Sequence, residues 1–201
     1  MGKAGIIGCL GLLLLAAVLF GVWAMGGYNR LVGLEEDVNQ AWAEVENAYQ
    51  RRSDLIPNLV ETVKGARDFE QETFTAVAEA RSRAGQVDFD GPPNAQQLEQ
   101  FQQAQDGLSS ALSRLLVTVE RYPELRATEA FRDLQAQLEG TENRIAVARK
   151  RFNESAQAFN TTRRRFPTNI VASLFGFEER PYFESTEGSE TPPAVDFGAA
   201  A

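Results

Sequence analysis

Apolar residues return at every seventh place over much of this chain, and that spacing leaves few alternatives to helices lying side by side. One line runs Leu31, Val38, Val45, Arg52, Leu59, with a companion through Leu34, Ala41, Ala48, Leu55, Thr62 and Phe69. A later line runs Phe131, Leu138, Ile145, Phe152, Phe159, Phe166, accompanied by Leu134, Thr141, Ala148, Ser155 and Thr162. Between them, Leu98, Phe101, Gln105, Leu108, Leu112, Leu115, Val119 and Tyr122 step by threes and fours. A seven-residue repeat held this long keeps one seam on one face and winds neighbouring helices left-handedly about each other. Bulky rings on one line and small side chains on the other let those helices interdigitate. No stretch alternates with period two for long enough to read as a strand. The expectation is an all-α fold, an antiparallel bundle of three to four long helices.

Pro57 interrupts the first seam chemically without shifting its register. Proline lacks an N–H and crowds the carbonyl four residues back, here Ser53, at a cost of about 3 kcal/mol. Because the seam stays in phase, residues from Tyr28 to about Ala84 read as one long helix kinked near Asp54–Pro57, roughly 85 Å from end to end. The alternative is a reversal at that point, with Asp54 capping a restarted helix. Gly85 to Asn94, with Gly91-Pro92-Pro93, reads as a loop. Tyr122-Pro123 ends the second seam, and Thr128 is a start cap for the third. After Phe166-Pro167, Thr168 is expected to cap a short helix, Asn169 to Phe175, closed by Gly176. Phe177, Pro181, Tyr182 and Phe183 then form an aromatic strap lying back on the bundle. Residues 185–201 are acidic, small and proline-containing, the composition of a disordered tail.

Ahead of the seams, Ala4 to Met25 is a charge-free apolar run of 22 residues. As a helix it spans about 33 Å, close to a bilayer core of about 30 Å. Trp23 and Tyr28 stand at its far end, where interfacial aromatics belong. The run exceeds the apolar core of a signal peptide and its basic start is thin, so it reads as a retained anchor although Val22-Trp23-Ala24 resembles a cleavage site. Too little apolar sequence precedes Cys9 for a lipoprotein signal. Basic groups flank the span almost evenly, Lys3 and the amine before it and Arg30 after it; the small margin puts the bundle outside the cytoplasm. The division expected is therefore an anchor over 1–27, a bundle over 28–184 and the tail. Ala4/Gly8 and Ala17/Gly21 have the small-xxx-small spacing that pairs helices in lipid, although such residues are common in any span.

Composition excludes much else. The chain has no histidine and one cysteine. Histidine-dependent triads, Glu-x-x-His di-iron bundles and phosphohistidine relays are ruled out, and no intrachain disulfide can form. A formal charge of −8 argues against nucleic-acid binding, which needs Lys and Arg at phosphates. Glu44, Glu46, Glu70 and Glu72 are carboxylates without the histidines a bundle metal site uses. No phosphate loop and no nucleophile beside a base appear. No cofactor, small-molecule substrate or catalytic residue is expected.

Two constellations remain. Arg52 falls on an apolar line, two residues before Asp54, and a charge there needs a partner; Glu142 on the third helix is the candidate, giving a structural polar layer. The alternative is that Arg52 snorkels to the rim. Arg163-Arg164-Arg165, with Arg149-Lys150-Arg151 two heptads earlier, either meets anionic lipid or an acidic partner or forms a solvated face.

The sequence resembles the LemA family. The resemblance is carried by Tyr28-Asn29-Arg30-Leu31-Val32, by Ala41-Trp42, and by Gln50 to Val60 (QRRSDLIPNLV) followed by Val63-Lys64-Gly65. It continues through Tyr122-Pro123-Glu124-Leu125, Leu138 to Ile145 (LEGTENRI), Phe166 to Ala172 (FPTNIVA), Phe177 and Pro181-Tyr182-Phe183. It covers about residues 6 to 184 and departs from the family pattern at Ala48-Tyr49 and Ala66-Arg67. It implies a single-span membrane protein with a helical bundle and no established enzymatic activity, and kinship with a magnetosome-membrane protein. Relatives are often encoded beside TPM-domain proteins, which suggests a partner of that kind; self-association is the other expectation. Taken with the pattern, it makes Arg51, Arg52, Asp54, Pro57, Asn58, Glu142, Arg163, Arg164, Arg165, Phe166, Pro167 and Asn169 the structural or interaction candidates. The role expected is a membrane-anchored scaffold or adaptor, the alternative a membrane-remodelling or lipid-sensing protein.

Overall fold

A computed structural model describes residues 3–64, 71–87, 89 and 91–184, with side chains from Leu10 onward. Phe69, Glu70 and the tail from 185 lie outside the described residues. The elements are α1 (Lys3–Lys64), α2 (Gln71–Gly85), α3 (Ala95–Val119), the single turn α4 (Pro123–Arg126), α5 (Glu129–Arg164) and α6 (Thr168–Phe175), with no strand among the described residues.

The apolar segment, from Lys3 onward, and the bundle share one uninterrupted helix. From Leu10 to Val22 the large apolar side chains of α1 are exposed, as a lipid-facing helix requires, while Trp23 and Ala24 are partly buried against the membrane-proximal core. From Leu31 the same helix acquires an inward face: Leu31, Val38, Val45 and Leu59 are fully buried. α1 passes through Pro57 without ending, and Asp54 caps nothing; its carboxylate accepts from Gln50 Nε2 at 2.8 Å, one turn back.

The continuous helix expected as far as Ala84 is corrected. α1 stops at Lys64, and α2 returns beside it, so that Arg81 lies against Ser53 and Phe74 packs near Val60. Seam register cannot reveal this reversal, because Val77, Ala80 and Ala84 of the returning helix keep an apolar, buried face, the pattern a continuing helix would also show. α3 then runs away from the membrane again, and α5 comes back along the whole bundle length of α1. Far from the membrane the result is an up-down-up-down bundle of α1, α2, α3 and α5 around Leu59, Val63, Val77, Leu115 and Phe131. Nearer the membrane α2 and α3 are absent or just beginning. There Leu31, Trp42, Phe152 and Phe159 of α1 and α5 are completed by Phe183 from the strap.

Local chemistry fixes the ends. Asn94 and Gln97 form a reciprocal capping box at α3, and Thr128 Oγ1 accepts from Phe131 N at α5. Gly176 closes α6 at φ 74°, the left-handed conformation glycine adopts without steric cost. Thr168 does not cap α6; it is the first helical residue, with Pro167, after a cis Phe166–Pro167 bond, in the cap position. The α5 seam also ends sooner than its spacing suggests. Phe166 is 80% exposed, because the helix ends at Arg164 and the phase is lost.

Candidate interaction site: a buried polar layer and a clasped strap

Arg52 divides the core. Its side chain is almost wholly buried, between one apolar cluster ending at Tyr49 and another beginning at Leu55. Nη1 donates to Ser109 Oγ at 2.9 Å and to Glu142 Oε1 at 3.0 Å, while Nη2 donates to the side chain and main-chain oxygens of Gln105. Tyr49 lies beneath the guanidinium, 5.0 Å from ring centre to Cζ. Three helices thus meet on one cation. Its Nε stays unpaired, and Glu142 is half exposed, so the layer is anchored at the surface on one side. Burial raises the Tyr49 hydroxyl above its ordinary pKa of 10.0, although Arg149 and Arg52 pull the other way.

A second polar contact follows from Pro57. Proline leaves the Ser53 carbonyl without its helical donor; Arg81 of α2 supplies one, Nε reaching Ser53 O at 3.1 Å and Ser53 Oγ at 3.3 Å. Arg51, Asp54, Pro57 and Asn58 themselves are exposed. Arg51 and Asp54 line a shallow groove of about 760 Å³ between α1 and α5, with Glu44, Arg144, Val147 and Arg151.

The strap is held by a ladder along α5. Asn160 Nδ2 donates to Arg180 O at 2.7 Å and its Oδ1 accepts from Arg180 N at 2.9 Å. Asn153 repeats the pair on Phe183, at 3.0 and 2.8 Å. Arg163 Nε donates to Phe177 O at 2.7 Å, and Arg149 Nη2 to Glu184 O at 2.8 Å. The spacing fits: seven helical residues between the asparagines rise about 10.5 Å, and three extended residues span about 10 Å. Each asparagine therefore acts as a substitute strand for the strap's main chain. Phe183 is thereby placed against Trp42, stacked at 6.2 Å, and Phe152, edge-on at 5.4 Å. Arg180 also reaches Glu35 on α1.

Of the basic runs, Arg163 and Arg149 are engaged by the strap, Arg151 pairs with Glu44 at 2.9 Å and Lys150 approaches Glu154 at 3.8 Å. Arg164, Arg165 and Asn169 are exposed. The sequence reading did not single out Asn153, Asn160, Arg81 or Gln105; the heptad spacing of the two asparagines was the available signal. Among the described residues no three His, Cys, Asp or Glu side chains gather as a metal site would require.

Comparison with known proteins finds relatives over most of the chain. The chain is 25% identical to magnetosome proteins MamQ 1 and MamQ 2 of Paramagnetospirillum magneticum, over 96% of its own length and 77% of theirs. It is 26% identical to the MamQ protein of Magnetospirillum gryphiswaldense over the same shares. Protein LemA of Metamycoplasma hominis is 23% identical, over 81% of this chain and 71% of that one. The family model described as LemA family matches residues 41–197, well over half of the sequence, and includes the Arg52 layer, the Pro57 block and the clasped strap: the chain belongs to the LemA family.

Proposed function

We propose that this protein is a membrane-tethered, non-enzymatic scaffold or adaptor. The observation carrying the reading is the continuity of α1 from the apolar segment to Lys64. A flexible linker would let a tethered domain wander; one helix instead holds the bundle upright, its far end about 58 Å beyond Met25. The groove between α1 and α5, with charges of both signs around the exposed Val147, is the surface offered to a partner or a second copy. Internal use of Arg149, Arg151 and Arg163 favours this role over lipid sensing by the basic runs. One candidate span and relatives named as magnetosome proteins fit a single-pass membrane setting. The slight excess of basic groups before the span favours a bundle outside the cytoplasm, and a TPM-domain protein is the first partner to test.

A photo-crosslinker at Val147 in native membranes should give a discrete adduct, diminished by Arg144→Glu. Recovery of monomer alone would count against the scaffold. A topology reporter fused after residue 184 should be active outside the cytoplasm; activity inside would reverse the orientation.

A further inference from the structure

Beyond the span, some exposed large apolar side chains of the bundle stand singly, Val117 and Val147 among them. The segment 166–175 differs. Phe166 is 80% exposed, Leu174 71%, Phe175 54% and Ile170 44%, while only Val171 and Ala172 of α6 turn inward. A contiguous apolar patch of this kind marks a contact surface.

Its position identifies the contact. A Cβ on Gly27 would lie 3.4 Å from Val171 Cγ2, and the ring of Tyr28 is 4.8 Å from that of Phe175. Gly27 and Tyr28 stand only about 3 and 4.5 Å along the helix beyond Met25, where the apolar run ends. The interfacial zone on each side of a bilayer core is about 5–8 Å deep. Since α1 is unbroken here, nothing separates α6 from that depth, and an ordinary tilt of about 20° changes it little. Arg30, Arg164 and Arg165 are exposed nearby, in the place where cations meet lipid phosphates.

We infer that α6 and Phe166 form a second, non-spanning membrane contact, seated in the headgroup–acyl boundary of the leaflet from which the bundle rises. Phe166, Ile170, Leu174 and Phe175 meet lipid, as an interfacial helix does. The bilayer is the occupant because lipid already surrounds the chain at this level. The inference rests on the apolar segment spanning the membrane and is independent of the scaffold role.

Full-length protein carrying Cys9→Ala is spin-labelled at one introduced cysteine in turn: Ile170, Leu174, Val18 in the span, or the exposed Val117 at the membrane-distal end of α3. Accessibility to oxygen and to an aqueous nickel chelate is read in phosphatidylcholine–phosphatidylglycerol liposomes at two protein-to-lipid ratios. Labels at 170 and 174 should lose nickel accessibility and keep oxygen accessibility, as at Val18, at both ratios. Nickel accessibility equal to that at Val117, with Val18 still in lipid, overturns the contact and leaves the span intact. Protection from both reagents that vanishes on dilution assigns the face to a second copy and overturns it; protection that persists assigns it to the chain itself, with the same result. A water-accessible Val18 removes the span, and the contact with it.

Discussion

A guanidinium buried as completely as that of Arg52 must be neutralised where it sits, because moving a charge from water into a core is costly. Glu142, Gln105 and Ser109 do so from two other helices. Glu142→Gln removes the countercharge but keeps the other acceptors, and is expected to lower unfolding free energy by about 1–2 kcal/mol in denaturant titrations. Replacing the layer by apolar residues, Arg52→Met with Gln105→Leu, should leave stability unchanged or raise it, since buried ion sets often cost as much as they return. What that variant loses is a marker of helix register, which distance measurements between α1 and α3 would detect. Tyr49 adds a pH dependence. Its pKa is raised in the folded state, so its contribution is fully present below the ordinary tyrosine pKa of about 10 and declines as pH rises beyond it. Stability measured from pH 8 to 11 should fall less steeply in Tyr49→Phe. Arg52 was legible in the sequence because a charge interrupts an otherwise apolar line. Gln105 was read only as one step of a seam, since a polar residue on a helix is usually just solvated.

At the scale of elements, the strap and the Pro57 junction show side chains completing hydrogen bonds the main chain cannot complete alone. Asn160→Ala removes both bonds to Arg180 and should cost about 2–3 kcal/mol. Hydrogen exchange should then accelerate at the Arg180 amide, with Phe183 loosened from Trp42, while α1 and α5 stay protected. At the junction, Arg81→Met leaves the Ser53 carbonyl without a donor and should cost about 1 kcal/mol. Pro57→Ala restores the missing N–H, so the penalty for Arg81→Met should shrink in that background; a double-mutant cycle measures the coupling. The seams announced α3 and α5 and the bundle part of α1, because burial on one face writes itself into spacing. They could not announce where α1 turns back: Leu59, Val63, Val77 and Ala80 are buried in either arrangement. The end of α5 was misplaced for a related reason. Phe166 keeps the seven-residue spacing although the helix has already stopped at Arg164, and an apolar side chain in phase is not thereby an inward one.

The whole molecule joins two solvents through one helix. Its all-helical architecture was readable from periodicity alone, and its family from the Arg51–Val60 and Phe166–Ala172 blocks. The strap's role was only partly readable: its aromatic residues suggested a return to the bundle, but the wedge-shaped gap they fill exists only because α2 and α3 are shorter than α1 and α5. Removing that filling should therefore weaken the membrane-proximal half selectively. Phe183→Ala empties a large buried volume and is expected to cost about 3–5 kcal/mol, with faster hydrogen exchange around Trp42 and Phe152 than around Leu115 and Phe131.

The unbroken α1 has one further mechanical consequence. A rod fixed to its own root cannot lean inside the bilayer without sweeping its outer end: a lean of about 20°, common for spanning helices, carries a point 58 Å away sideways by about 20 Å. A membrane thinner than the apolar run increases that lean, so the outer end of the bundle moves across the surface as the lipid beneath it thins.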